Sequence, residues 1–219
     1  MRIKSYLSGL LLALTLASCS EYSKIEKSTD IQKKLQYANQ LYDAGKYTKA
    51  QVLYGEIKDA FRGSPEAEDL LYHYAYTFYN IEDYETAAFY FKNFVSTFPN
   101  SPRATQMDYM QAYCFYKLSP RVELDQTNTT KAISAMQTFI NIHPNSDKVP
   151  EATKLIDECR QKLEDKEQNA AKLYFNLGMY KAAGSTYSNL LLDYPDSRLG
   201  DQYKLMEIKA YYKYAQNSI

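Results

Sequence analysis

The chain has 219 residues, and its 26 Lys and Arg residues balance its 26 Asp and Glu residues. This neutrality argues against a nucleic-acid-binding protein, because such proteins use excess positive charge to bind phosphate. With only 7 Gly and 7 Pro, the chain has too few turn residues for an all-β fold. It contains 23 Tyr and no Trp. Composition therefore predicts a helical protein with an unusual stock of tyrosine.

The N-terminus has the features of an export signal. Arg2 and Lys4 precede an apolar run over residues 7–16. As a helix this run would rise only about 15 Å, half the hydrocarbon thickness of a bilayer. Residues 1–18 are therefore interpreted as a cleaved signal peptide and not as a permanent membrane span.

The sequence Leu16-Ala17-Ser18-Cys19 resembles the lipobox of bacterial lipoproteins. This resemblance implies that Cys19 becomes the acylated N-terminus of the mature chain, held in the membrane by its lipid. Ser20 occupies the position where Asp would favour inner-membrane retention in some bacteria, so an outer-membrane location is expected. Residues 19–29 are then a lipidated polar tether. An ordinary secretory peptide that happens to contain Cys19 is the alternative.

From Asp30 onward the sequence repeats a helix-pair pattern. Four alanines each precede bulky residues at +4 and +7, and three of them precede a proline at +12. Small residues let helices approach closely, bulky ones extend an apolar stripe, and proline ends a helix. The alanines are Ala50, Ala87, Ala132 and Ala183, and the prolines are Pro99, Pro144 and Pro195. Asn-Ser or Asp-Ser follows each proline and is expected to cap the next helix.

This pattern resembles the tetratricopeptide repeat. We therefore predict an all-α fold, a right-handed α-solenoid of about five irregular helix pairs with the last incomplete. The alanines are 37, 45 and 51 residues apart, so the repeats are uneven. Repeats 1–3 are assigned to residues 30–146 with a loop insertion at 119–130, and repeat 4 with a partial repeat 5 to residues 147–219. Long helices are expected at about 150–176 and from Leu199 through Tyr214.

No catalytic constellation is recognisable in the sequence. His73 and His143 lack cysteine or carboxylate partners at metal-ligand spacing, and no phosphate-binding glycine loop or nucleophile elbow is present. A non-enzyme without metal or cofactor is therefore expected. Cys114 and Cys159 could form a disulfide in an oxidising periplasm, although buried free thiols are favoured.

The tyrosines fall in a recurring pattern. Tyr72, Tyr76 and Tyr79 lie within about a 60° arc of one helix and recur 37 residues later. First helices line the concave side of such a stack, so these phenols are predicted to form a peptide groove, although packing between repeats is the alternative. Arg103, Lys117 and Arg121 could bind a terminal carboxylate nearby. The seven predicted groove residues are Tyr42, Tyr72, Tyr76, Tyr79, Tyr109, Tyr113 and Tyr116.

A lipobox followed by irregular repeats with Pro-Asn-Ser or Pro-Asp-Ser junctions is similar to the BamD family of β-barrel assembly lipoproteins. The junction at Phe98-Pro99-Asn100-Ser101 and the insertion that begins at Ser119 add to this similarity. The resemblance implies a periplasm-facing lipoprotein of the outer membrane. It also implies that the C-terminal repeats bind the POTRA region of the insertase BamA, and that the N-terminal repeats recognise the C-terminal signal of unfolded outer-membrane proteins. Arg198 and Asp201 are the candidate residues of the partner interface.

A different periplasmic repeat lipoprotein is the rival interpretation. Such a protein would act as an adaptor for envelope or peptidoglycan enzymes, or belong to a nutrient-uptake system. The absence of Trp, a frequent platform for sugar stacking, counts against the uptake form. The adaptor and the assembly factor differ in the partner that each would bind.

Overall fold

The computed structural model describes residues 21–217, so the signal peptide and Cys19 lie outside the described residues. Within this range every regular element is a helix, which confirms the predicted all-α class. The helices named here are α1 (Ile31–Asp43), α2 (Tyr47–Ile57), α3 (Ala67–Asn80), α4 (Tyr84–Thr97), α5 (Ala104–Leu118), α6 (Thr127–Ile142), α7 (Val149–Asn176), α8 (Tyr180–Asp193) and α9 (Gly200–Gln216). A short helix over residues 21–26 precedes α1.

The repeated alanine pattern forms the core of the second helix in each pair. Ala50, Ala87, Ala132 and Ala183 are each at most 1% exposed. The residues four positions later are equally buried, namely Tyr54, Phe91, Met136 and Tyr187. The periodicity in the sequence therefore identifies the apolar stripe along which consecutive helices pack.

Proline ends the second helices as predicted. Helices α4, α6 and α8 stop at Thr97, Ile142 and Asp193, each two residues before a proline. The serines after the prolines differ from the prediction, because they brace the turn that leads into the next helix and do not cap the helix itself. Ser101 Oγ accepts from the amide of Arg103 at 3.0 Å, before α5 begins at Ala104.

The chain forms two compact units, and the boundary between them in sequence falls between Cys114 and Phe115, inside α5. In the first unit α1 packs on α2, α2 on α3, and α3 on α4. In the second unit α7 packs on α6 and on α8, and α9 packs on α8. The repeat boundary between residues 146 and 147 stays a prediction.

The segment between α5 and α6 is an ordered loop. Gln126 is 7% exposed, and its Nε2 donates to the carbonyls of Arg121 and Leu124 at 2.8 and 3.0 Å. Two lysines of α7 also hold the loop, since Lys162 Nζ donates to Ser119 Oγ at 2.7 Å and Lys166 Nζ to the Leu124 carbonyl at 2.5 Å. The loop is fixed to α7 by these bonds although its sequence is polar.

Both cysteines in the described part of the chain are free and buried. Burial raises the pKa of the Cys114 thiol to about 12 and also raises the pKa of Cys159. Such thiols stay protonated at neutral pH and react slowly. Among residues 21–217, no helix is both long and apolar enough to cross a membrane.

Candidate functional site

Six of the predicted groove tyrosines lie in the first unit, on α1, α3 and α5. We call this set the tyrosine ladder; it comprises Tyr42, Tyr72, Tyr76, Tyr79, Tyr109 and Tyr113. The ring centroids of Tyr72 and Tyr76 are 4.8 Å apart, and those of Tyr76 and Tyr79 are 6.2 Å apart. Tyr79 lies 6.4 Å from Tyr113, which stacks on Tyr109 at 5.8 Å. The ladder therefore continues from one helix pair to the next.

The inner edges of the ladder rest on the aromatic core of α4. The Tyr76 and Phe91 centroids are 5.0 Å apart in an edge-to-face arrangement, and those of Tyr72 and Phe94 are 6.4 Å apart. Phe91 and Phe94 are fully buried, whereas Tyr72 and Tyr76 are only half-buried. Each of these two tyrosines thus packs on the core with part of its ring and exposes the rest. The buried part agrees with packing between repeats, and the exposed part is available to a peptide groove.

Three ladder phenols, those of Tyr42, Tyr76 and Tyr79, are held in the neutral form by burial. Burial raises the pKa of Tyr42 to about 12 and raises the pKa values of Tyr76 and Tyr79 as well. Each neutral hydroxyl can donate one hydrogen bond and accept others. The Tyr76 hydroxyl accepts from Gln106 Nε2 at 2.8 Å and is also hydrogen-bonded to the Tyr72 hydroxyl.

His73 joins Tyr42 to the rest of the ladder, which sequence reasoning missed. Its ring centroid is 4.5 Å from that of Tyr42 and 5.6 Å from that of Tyr72. Its Nδ1 atom is buried and has no hydrogen-bond partner. The position of this histidine among the tyrosines of α3 gave no signal for this role, because it depends on the approach of α1 to α3.

A basic residue borders the ladder. The Arg103 guanidinium lies over the Tyr72 ring at 4.6 Å, and its Nη1 donates to Asp69 Oδ1 at 2.5 Å. Asp69 also raises the pKa of Arg103, so this side chain stays charged. Arg103 is one of the residues predicted to bind a terminal carboxylate, and one of its five donors is already bound to Asp69.

Two of the predicted groove residues differ from the others. Tyr109 is only 4% exposed, so it supports Tyr113 from within the core and offers little surface to a ligand. Tyr116 belongs to the second unit, where its hydroxyl donates to Glu158 Oε2 at 2.7 Å. Its place in the groove stays a prediction.

The predicted partner residues lie in the second unit. Arg198 is exposed and lines a polar cleft of about 730 Å³, together with Arg160, Asp157 and Asp193. Asp201 is exposed in the first turn of α9 and does not line this cleft. The two residues thus lie close in sequence but do not share one pocket.

Glu164 lies at the base of this cleft and was missed by sequence analysis. It is 6% exposed, and Oε1 accepts hydrogen bonds from Ser197 Oγ and, at 2.6 Å, from Tyr203 Oη. Ser101 and Glu68 make the equivalent bond in the first unit, at 2.7 Å and again 33 residues apart. The 33-residue spacing between glutamate and serine, which recurs in both units, is the signal in the sequence that could have identified Glu164 and Ser197.

A match to a known protein family identifies the family of this chain. The sequence model of a family described as outer membrane lipoprotein, YfiO, matches residues 28–218. The chain belongs to this family. No curated protein is significantly similar to this lipoprotein in sequence.

The solved structures that are similar to this chain include two helical-repeat proteins. The TPR2AB domain of yeast Sti1, in its complex with pHSP90, is 17% identical with a TM-score of 0.45; the match covers 84% of this chain and 70% of that chain. A Podospora anserina kinesin light chain variant with nearly identical TPR-like repeats is 9% identical with a TM-score of 0.38, and the match covers 86% of this chain and 88% of that chain.

The environment of His73 predicts a pH-dependent stability of this lipoprotein. Burial lowers the pKa of His73 below its ordinary value of 6.5, partly opposed by Asp69 and Asp43. Between the folded and unfolded pKa values the unfolded chain binds more protons, so the free energy of unfolding falls as the pH decreases below 6.5. The measurement is chemical denaturation at pH 7.5 and pH 5.0.

His73→Phe keeps an aromatic ring beside Tyr42 but cannot be protonated. This variant is expected to lose less stability than the wild type between the two pH values. Tyr72→Phe is the matched control, because it changes a neighbouring ring and keeps the histidine. Equal losses in the wild type and His73→Phe would show that this histidine does not set the pH dependence.

Proposed function

We propose that this lipoprotein is a non-catalytic subunit of the β-barrel assembly machinery of the outer membrane. In this role it binds unfolded outer-membrane proteins and the POTRA region of a BamA-like insertase, and so promotes their folding and insertion. Membership of the outer membrane lipoprotein family and the helical-repeat fold favour a role in protein interaction. The observation that carries the proposal is the tyrosine ladder of the first unit.

The ladder suits an extended peptide with aromatic side chains. Its rings are held by one another and by Phe91 and Phe94, so they lose little conformational freedom when a ligand binds. Half-buried phenols offer apolar faces to side chains and hydroxyls to backbone amides. The C-terminal signal that the BamD family recognises in barrel proteins ends in an aromatic residue. A peptide of this kind matches the apolar faces and hydroxyls of the ladder.

Arg103 supports an orientation for such a peptide. Its guanidinium is fixed by the Tyr72 ring and by Asp69, and it retains donors that are not used in the Asp69 bond. A carboxylate that binds there would form a charge-assisted hydrogen bond. We therefore propose that the C-terminus of the peptide lies at Arg103 and that its preceding side chains lie along the ladder.

The second unit is the proposed site of the insertase contact. Arg198 and Asp201 are exposed there, and α9 carries apolar residues that are more than half exposed, with Leu205 at 51% and Ile208 at 58%. Exposed apolar side chains beside charged ones are typical of protein interaction sites. Arg198→Glu is a suitable variant for this contact, because the side chain is exposed and lies outside the buried core.

Replacing the lipidated cysteine is expected to change the location of the protein. In Cys19→Ala the acyl chains cannot be attached, and each buried methylene that is lost removes about 0.8 kcal/mol of membrane affinity. The protein should then be found in the soluble or inner-membrane fraction. Density-gradient fractionation measures this, with Ser20→Ala as the control that keeps the cysteine. Normal outer-membrane fractionation of Cys19→Ala would refute lipid anchoring.

The functional proposal is tested by purification from the native membrane. The full lipoprotein is isolated in mild detergent, and the proteins that accompany it are identified by mass spectrometry. Near-stoichiometric recovery of a barrel-forming insertase with a POTRA region, reduced in Arg198→Glu, is the expected result. Recovery of cell-wall enzymes or an uptake porin in its place would overturn the assembly role and favour the adaptor.

A further inference from the structure

The segment between the lipidation site and α1 is polar in sequence, but in the structure it is packed against the first unit. Residues 21–26 are helical, and Ile25 is only 6% exposed. A helix of this length does not persist in water without tertiary contacts. The buried isoleucine therefore provides the contact that holds the segment in place.

Tyr22 provides the second contact of this segment. Lys49 Nζ, on α2, lies over the Tyr22 ring at 5.1 Å. Burial raises the pKa of Tyr22, and the nearby carboxylates of Glu26 and Glu56 raise it further. Glu56 is also on α2, so the segment is held by the first helix pair and not by its covalent link alone.

The opposite face of the segment exposes two lysines, and Glu21 is exposed at its start. Lys24 and Lys27 are exposed, whereas Tyr22 and Ile25 contact the protein. At 100° per residue the two lysines lie roughly opposite the two packed residues. A turn leads from this segment into α1, in which the Ser28 amide donates to the Ile25 carbonyl at 3.0 Å and the Asp30 amide to Ser28 Oγ at 3.1 Å.

This packing makes the connection between lipid and protein very short. Two residues of chain span at most about 7 Å, so Cys19 cannot be farther than that from Glu21. A freely extended link from Cys19 to the start of α1 at Ile31 would span up to about 40 Å. Docking of residues 21–26 removes most of this reach.

We propose that residues 21–26 are a membrane dock that holds the first helix pair, α1 and α2, against the phospholipid surface, with Lys24 and Lys27 facing the phosphate headgroups. This inference rests on the lipidation of Cys19 in the proposed function. It adds that the anchor is short and fixed and not a flexible tether.

The test measures how close α2 lies to lipid. The full lipidated protein is reconstituted in vesicles of phosphatidylethanolamine and phosphatidylglycerol that contain a lipid with a nitroxide headgroup as quencher. A fluorophore is attached through Thr48→Cys, beside Lys49; Thr48 is exposed, whereas Cys114 and Cys159 are buried and label poorly. Mass spectrometry of the N-terminal peptide confirms acylation in every sample.

Three variants separate docking from anchoring. One carries twenty Gly and Ser residues after Ser20, which gives a flexible link of about 25 Å root-mean-square length. Ile25→Ser removes the buried contact, and Glu21→Ser is the matched control because Glu21 is exposed. Equal melting temperatures establish that the repeats remain folded in each variant.

Strong quenching in the wild type and in Glu21→Ser is expected, with quenching lower by about threefold or more in the insertion variant and in Ile25→Ser. Equal quenching in the wild type and the insertion variant, with acylation intact, would overturn the dock and leave the lipid anchor standing. Absence of the acyl group from Cys19 would overturn both the anchor and the dock.

Discussion

Replacement of both Tyr76 and Tyr113 by alanine is expected to weaken binding of a peptide ending in Phe by about 1–3 kcal/mol for each tyrosine lost. Tyr76 lies in the middle of the ladder, against Tyr72, Tyr79 and Phe91. Tyr113 continues the ladder to α5 through Tyr79. The affinity is measured by fluorescence anisotropy of a labelled peptide derived from the C-terminus of a barrel protein.

Two controls distinguish the groove from simple packing. Tyr76→Phe keeps the ring and loses the hydroxyl bonds to Gln106 and Tyr72, so it should retain most of the affinity. Tyr212→Ala, on α9, removes a tyrosine that is 62% exposed in the second unit and should leave peptide affinity unchanged. If the double alanine variant keeps both the wild-type affinity and the wild-type melting temperature, the ladder is not the peptide site.

Replacement of Glu164 by alanine is expected to reduce the free energy of unfolding by about 2–4 kcal/mol. The carboxylate accepts from the hydroxyls of Ser197 and Tyr203, and its loss leaves both donors without this acceptor in a largely buried site. The Tyr203 side chain is fully buried, so its hydroxyl has little access to water. Denaturation in urea, followed by far-ultraviolet circular dichroism, measures the change.

The repeat supplies a matched control for this substitution. Glu68 accepts from Ser101 in the equivalent position of the first unit but is only half-buried, so Glu68→Ala should cost about 1 kcal/mol. Tyr203→Phe removes one donor of Glu164 and leaves those of Ser197 and Gln161, so it should cost less than Glu164→Ala. Equal, small losses in Glu164→Ala and Glu68→Ala would show that the buried carboxylate contributes little to stability.

Much of the fold could be predicted because the apolar residues recur with the period of an α-helix. Alanine at one position and bulky residues four and seven positions later place one face of each second helix in the core, and Phe91 and Phe94 are indeed fully buried. Pro99 prevents α4 from continuing because its ring fixes the backbone and removes an N–H donor, and this effect depends on no residue distant in sequence. Features that depend on one helix were therefore accessible from sequence.

Features that depend on two helices were not accessible in this way. Tyr79 and Tyr116 occupy equivalent positions 37 residues apart, yet Tyr79 contacts another ladder ring and Tyr116 bonds to a carboxylate on α7. His73 enters the ladder because α1 brings Tyr42 to it. Periodicity finds the face of a helix that is occupied, but the chemistry of the neighbouring helix decides what each side chain on that face contacts.

The packed segment before α1 shows the same limit. Its composition is that of a solvated tether, and one buried isoleucine among polar residues is too weak a signal to predict docking. Lys49, which lies over the Tyr22 ring, belongs to α2, and the whole of α1 separates the two residues in sequence. Only the tertiary arrangement reveals that Ile25 is buried.

The central claim is that the tyrosine ladder binds the C-terminal signal of an unfolded barrel protein. Photo-crosslinking tests it most directly, with a peptide that ends in Phe and carries a benzophenone side chain two residues earlier. Crosslinks that map by mass spectrometry to α3 and α5 around Tyr76 and Tyr113, and that an excess of unlabelled peptide suppresses, are the predicted result. Crosslinks confined to α7, α8 and α9, or insensitive to competing peptide, would contradict it.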